Sequence, residues 1–175
     1  MAGNTYLARD PTTQLPKEIA ATQTSAGATN ANQIVALDGT GFLNSTLFPA
    51  GIGEASVIIP ATEALAAGAM VNVWGGSGGS TPSARNANST DATKPAQGFV
   101  LSAFASAANA TVYFPGQIVT GLSGLTIGAS VFLSTTAGVS TPTAPSASGN
   151  LIQQVGTALS TTSMVFNPDP GIIHA

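Results

Sequence analysis

Gly124-Leu125-Thr126-Ile127-Gly128-Ala129-Ser130-Val131-Phe132-Leu133 decides how this chain is read, because Ala64-Leu65-Ala66-Ala67-Gly68-Ala69-Met70-Val71-Asn72-Val73 repeats its pattern. Both stretches read Leu-x-x-Gly-Ala-x-Val-x-(Leu/Val). The match extends in register: Ile58-Ile59 precedes the first as Ile118-Val119 precedes the second, and Ser80-Thr81-Pro82 follows as Ser140-Thr141-Pro142 does. In a looser register Gly98-Phe99-Val100-Leu101-Ser102 corresponds to Gly156-Thr157-Ala158-Leu159-Ser160, and Val112-Tyr113-Phe114-Pro115 to Val165-Phe166-Asn167-Pro168. Two copies of one unit point to a pseudo-symmetric domain, since a solenoid needs about three or more.

The strand signals around these copies are β-branched and aromatic runs separated by Gly, Pro and Ser. In the first they are Ser56 to Ile59, Ala69 to Trp74, Gln97 to Leu101 and Ala110 to Phe114. In the second they are Gln117 to Val119, Ala129 to Leu133, Leu151 to Leu159 and Ser163 to Phe166. The expected fold is all-β, a barrel or sandwich of two similar four-stranded units (about 56–115 and 116–170) related by a pseudo-two-fold. Strand alternation sends Val131 and Leu133 one way and Phe132 and Val165 the other, so both faces carry apolar groups and both need cover. Ser83 to Pro95 reads as a polar surface loop, and Ala61 to Ala67 as a single helical turn at most, hemmed in by Pro60 and Gly68. Gly75-Gly76-Ser77-Gly78-Gly79 lacks the Lys-Ser/Thr of a phosphate-binding loop and reads as a hairpin connection.

Residues 1–54 differ in texture. Met1 to Asn32 has few bulky apolar residues, no period, and punctuation at Pro11, Pro16 and Gly27, which reads as an extended N-terminal arm. Such an arm is either an idle terminus or a segment that orders on a neighbour by adding strands, with Tyr6, Leu7, Leu15 and Ile19 as anchors. A hook or hairpin is expected at 33–53, where Asp38-Gly39-Thr40-Gly41 makes the turn and Leu37, Phe42, Leu43, Leu47, Phe48 and Ile52 supply apolar side chains. The β domain then occupies 55–175, ending in a proline-broken tail whose Ile172-Ile173 pair docks on something.

Only 6% of the 175 residues are charged, against roughly 25% in an average soluble domain. A surface of hydroxyls and amides fits either a free domain solvated without charge or one largely covered by neighbours. A net charge of -3, with Arg9, Lys17, Arg85 and Lys94 scattered singly, argues against nucleic acid as a partner. There is no apolar run of membrane-spanning length and no secretory signal pattern, which fits synthesis in the cytoplasm and no membrane partner.

Reaction chemistry has few carriers. The absence of cysteine removes disulfides, thiolate metal sites and thiol nucleophiles together. The single histidine, His174, stands next to the C-terminus without a local acid other than Asp169, and reads as a solvated or packed side chain rather than a base or ligand. Glu54 and Glu63 are not spaced as a catalytic carboxylate pair, and no Asp-x-Asp-x-Asp run offers a calcium site. The expectation is a non-enzyme without cofactor or metal. A carbohydrate-binding module finds little support, because Trp74, Tyr113 and Phe114 are few and lie within strands.

Ile34-Val35-Ala36-Leu37-Asp38-Gly39-Thr40-Gly41-Phe42-Leu43-Asn44-Ser45-Thr46-Leu47-Phe48-Pro49-Ala50-Gly51-Ile52-Gly53 resembles a segment found near the N-termini of tailed-bacteriophage virion proteins. The run from Gly124 through Leu133 to Gly138, with Pro142 to Asn150 and Val155 to Ser160, is similar to a β module of phage capsid-decoration (cement) proteins and some tail-fibre proteins. Val131-Phe132 stands where that module has an aromatic pair. The resemblance implies a structural virion protein on the outer capsid surface, a homotrimer that binds the major capsid protein of an HK97-type shell and stabilises it. Its alternative is a tail or fibre component that attaches to the host. One repeated β unit without a long shaft favours cement, and the apolar residues from Tyr6 to Ile52 are then the partner-binding set.

Overall fold

The structure, a computed structural model, describes residues 5–48 and 55–175. The chain divides into two units between residues 53 and 54. It is all-β: among the described residues the only helical segments are two short 3-10 turns, Gly27–Asn30 and Ser45–Leu47.

In the first unit, residues expected within an extended arm form an antiparallel hairpin of β1 (Thr5–Arg9) and β2 (Pro16–Ala20), with Tyr6 opposite Ile19 and Leu7 opposite Glu18. Asp10 makes the turn. Its carboxylate accepts the Thr12 and Thr13 N–H groups at 2.8 and 2.9 Å, and Lys17 lies 3.5 Å from its other oxygen. The hairpin departs from the expected arm because the turn chemistry of Asp10-Pro11 outweighs the weak apolar pattern on either side. Further on, Thr22 bridges to Val35, with its N–H donated to Ile34 and its carbonyl accepting from Ala36. The Asp38 carboxylate then takes the Thr40 N–H, the Thr40 hydroxyl and the Phe42 N–H, closing a compact loop at the start of the expected hook.

The second unit holds two five-stranded antiparallel sheets. The first comprises β3 (Ser56–Pro60), β4 (Met70–Trp74), β5 (Ser83–Asn86), β6 (Gly98–Phe99) and β7 (Asn109–Tyr113), in the order β3-β7-β6-β4-β5. Its two ends meet where Ala61 bridges Ala84 and the Thr62 N–H donates to the Ala84 carbonyl, so the sheet curls into a half-barrel. β5 corrects the sequence reading, which placed a surface loop at 83–95 and counted four strands. Ser83-Ala84-Arg85-Asn86 carries little β propensity, yet Val71 to Trp74 supplies a complete ladder for it and Ala84 is fully buried. No helical turn forms at 61–67. Leu65 instead bridges Phe104 across the end of the half-barrel and plugs it.

The second sheet comprises β8 (Ile118–Val119), β9 (Ser130–Leu133), β10 (Ser140–Thr141), β12 (Gln154–Ala158) and β13 (Met164–Phe166). Between β10 and β12, β11 (Leu151–Ile152) pairs instead with β14 (Ile172–Ile173), which gives the tail its docking place. Read as β8-β13-β12-β9-β10, this sheet has the strand order of the first. Sequence-matched positions make matched backbone bonds: Gly68 donates to Val100 as Gly128 does to Ala158, and Val100 donates to Ala69 as Ala158 does to Ala129. Gly68 and Gly128 sit at φ +77° and +78°, a left-handed conformation that explains why glycine recurs there.

The way the sheets pack departs from the pseudo-two-fold expectation. Ile59, Leu65, Val71, Ala84, Val100 and Val112 fill the first half-barrel. The opposite face of that sheet, Met70 and Phe99 with Tyr113, covers the inner face of the second sheet: Val119, Val131, Leu133, Val155, Met164 and Phe166. Phe99 stacks on Tyr113 at 5.5 Å and meets Phe166 at 5.3 Å. Thus the outer face of one sheet plugs the inner face of the other, so corresponding positions occupy different environments. The first sheet is covered on both faces at β4 and β6, while Val57 and Ile58 on β3 stay exposed. On the second, Phe132 and Val165 lie half-buried opposite Val131 and Met164, as strand alternation requires.

A candidate interaction surface

Tyr6, Leu7, Leu15, Ile19, Leu37, Phe42, Leu43, Leu47 and Phe48 are the described members of the apolar set read from the sequence; Ile52 lies outside the described residues. None of the nine is buried. Leu7 (63% exposed), Leu15, Leu37, Phe42 (71%), Leu43 and Phe48 are exposed, while Tyr6, Ile19 and Leu47 are half-buried. Hairpin pairing brings Tyr6 and Ile19 together on one face, and Leu7 stands on the other. Ile34 and Val35, not among the apolar residues named from the sequence, join the exposed set. Among its described residues the first unit has no buried side chain at all, whereas the second buries two clusters. At roughly 25 cal/mol per Å² of apolar surface, the first unit forgoes the burial that normally offsets chain ordering.

What holds that unit's loops is local polar chemistry. Hydrogen bonds from the Thr40 hydroxyl, then from the Phe42 and Thr40 N–H groups, hold the Asp38 carboxyl below its usual range. The Thr13 and Thr12 N–H groups do the same to Asp10, and the Thr93 hydroxyl and N–H to Asp91 in the second unit. Each is an exposed Asx turn in which the acid caps backbone donors. Asn44-Ser45-Thr46 and Asn88-Ser89-Thr90 place the same bonds on an uncharged side chain.

The polar groups of the second unit are likewise spent on structure. Arg85 lies 4.6 Å from the Trp74 ring centre and donates to Asn72 Oδ1 and the Thr93 carbonyl. Gln153, almost fully buried, bonds the Ala96 N–H and carbonyl and the Asp169 carbonyl, tying the tail to the 95–97 segment. Among the described residues no three His, Asp or Glu side chains gather as a metal site, and none of their helices is long and apolar enough to cross a membrane. A cleft of 230 Å³ at 66–69, 121–123 and 137–140 is lined mostly by Ala, Gly and Ser with Leu122, Val139 and Asn86, and no charged side chain lines it.

The second unit adds exposed apolar residues that the sequence reading did not single out. Ile58 (67% exposed) and Ile118 lie on β3 and β8, which end their sheets; Leu101 and Leu159 follow β6 and β12. These are two sequence-matched pairs. The signal was in the sequence, since Ile58 aligns with Ile118 and Leu101 with Leu159, but alignment alone does not say which apolar positions point outward. Leu101 and Ile118 border one groove whose lining includes Phe99 and Tyr113.

Comparison with protein-family models, curated proteins and solved structures finds no match for this chain.

Proposed function

We propose that this chain is a structural virion protein, a capsid decoration protein that binds the outer surface of an HK97-type shell and reinforces it. One observation carries the reading. A second unit with its own core is joined to a first unit whose described residues bury nothing and expose six large apolar side chains of the expected partner-binding set. Such a segment gains its stabilisation when a partner covers it, as β-augmenting and groove-binding segments do. The low charge of the whole chain supports the same reading, because closely packed copies on a shell then repel one another little. Contacts that are weak singly become effective when a symmetric shell presents many of them.

In this mechanism the apolar residues from Tyr6 to Phe48 contact the major capsid protein and neighbouring copies, and the second unit faces outward as a homotrimer. The role is mechanical, with no substrate and no cofactor. The test is co-sedimentation with empty shells of the full chain and of a chain lacking residues 1–32, each checked for a retained second-unit melting transition. The reading expects the shortened chain to lose at least about tenfold in shell affinity. Equal occupancy by both chains refutes it, and binding of the full chain to host cells but not to shells moves the protein to the tail.

A further inference from the structure

Six described strands are five residues long, and three of them, β4, β7 and β12, have neighbours on both sides. That leaves β1 and β2 with an open edge, and β3 with one that is open up to the point where the chain after it meets β5. The backbone ladder shows which groups face outward. Asp10 N–H donates to the Leu15 carbonyl directly opposite, so Ala8/Lys17 and Tyr6/Ile19 are the bonded pairs of the hairpin and Leu7 points its N–H and C=O away from it. On β2 the outward positions are Pro16, Glu18 and Ala20, and that edge is blunted by a missing donor and a charge. On β3, Phe114 N–H donates to Ala55 and Ala61 N–H to Ala108, so Val57 and Ile59 bond to β7 while Ser56, Ile58 and Pro60 face outward; beyond Pro60 the edge meets β5, where Ala61 bridges Ala84, so its open stretch is Ser56 to Ile58. Neither proline, charge nor bulge protects the β3 edge before Pro60, and Ala55 to Thr62 contains no charged residue.

We propose that β1 of one copy adds as a further strand to the β3 edge of a second copy. The two partners have complementary deficits. The hairpin has an open edge but no core, and an isolated two-stranded hairpin is marginal in water. The β3 sheet has a core and an open edge flanked by exposed Val57 and Ile58. Pairing satisfies the outward backbone groups of Leu7 and Ile58 and covers both side chains, without stripping water from any charge on β3. The chain's 6% charged content leaves little repulsion between copies. Donor edge and acceptor edge are different surfaces, so the contact is heterologous: each copy gives one hairpin and receives one, and the assembly closes as a ring or grows as a fibre.

The test uses the full chain in solution without shells, so its failure leaves shell binding untouched. Sedimentation velocity across a concentration series reads the mass of the wild type, of Leu7→Pro, of Ile58→Pro, and of the two variants mixed. Each proline removes one outward N–H and leaves the internal ladder intact. The wild type is expected to associate with rising concentration, and each variant to need at least about tenfold more protein to do so. The mixture should stop at pairs, formed by the live β1 of Ile58→Pro on the live β3 of Leu7→Pro. If Ile58→Pro loses its melting transition, Ile58→Lys, which keeps the backbone and charges the edge, takes its place. A wild type that stays monomeric, variants that associate like wild type, or a mixture that forms no pairs overturns the proposal.

Discussion

Replacing Phe99 with alanine tests the way the two sheets are joined. Phe99 is fully buried, on a two-residue strand of the first sheet, with its ring against Tyr113 of its own sheet and Phe166 of the other. Removing a buried phenylalanine ring costs about 3–5 kcal/mol through lost transfer energy and the cavity left behind. The two ring contacts place Phe99 toward the upper end of that range, since aromatic pairs add about 0.5–1.5 kcal/mol beyond area. The sequence-matched position, Thr157, lies half-buried on the outer side of the second sheet, so Thr157→Ala should cost under about 1 kcal/mol. Urea unfolding of the full chain, followed by Trp74 fluorescence, is the assay. With a slope of roughly 2 kcal/mol per M for a unit of this size, Phe99→Ala should lower the midpoint by about 2 M and Thr157→Ala by a few tenths. If the two substitutions cost the same to within about 0.5 kcal/mol, corresponding positions share one environment and the packing described here is wrong.

Three further expectations follow from other contacts. A Cβ at Gly98 would stand 2.6 Å from Val112 Cγ1 and 2.8 Å from the Tyr113 carbonyl oxygen, so Gly98→Ala should cost about 3 kcal/mol by overpacking. Gly149→Ala meets nothing within 4 Å and should cost only the roughly 1–2 kcal/mol of a left-handed alanine at φ +83°, both read from thermal melts. Gln153→Met keeps volume but strands the Ala96 N–H and carbonyl and the Asp169 carbonyl, so the same melts should show a loss of about 2–4 kcal/mol. The Asp38 carboxyl is depressed in the folded chain, so the order it imposes is present above the ordinary carboxylate value of 3.8 and is lost as pH falls through the depressed one. The Thr40 and Phe42 amide resonances should therefore titrate below pH 3.8, and midpoints at or above that value would contradict the turn.

The repeated Leu-x-x-Gly-Ala-x-Val pattern was sufficient to read an all-β chain, because β-branched runs and glycine punctuation are local signals. It could not count the strands. β5 is made of Ser83, Ala84, Arg85 and Asn86, residues that become a strand only because β4 offers a ladder beside them. The β1–β2 hairpin escaped for a related reason, since its pairing is held by Asp10 turn bonds more than by hydrophobic alternation. Within the candidate surface, the apolar residues from Tyr6 to Phe48 could be named from sequence because few others compete in that stretch. Ile58 and Leu101 could not, because in a strand-rich segment an apolar residue reads as core until the sheet edges are known.

The matched positions of the two sheets separate residues that answer to the chain's own core from residues that do not. At two matched positions where the environments differ, the residue type differs with them. Met70 and Phe99 face the other sheet and are buried, whereas their counterparts Ser130 and Thr157 lie half-buried on the outside and are polar. The second sheet therefore carries polar residues at these two outer positions, beside the half-buried Phe132 and Val165. Ile58 and Ile118, and Leu101 and Leu159, break that correspondence: both members of each pair are exposed, and both are apolar. Scattered apolar surface residues are ordinary and call for no explanation singly. Serine and threonine stand at the outer positions 130 and 157, whereas these four positions stay apolar in both copies. Cover by a partner would account for them, and for Ile58 the strand addition proposed at the β3 edge would supply it.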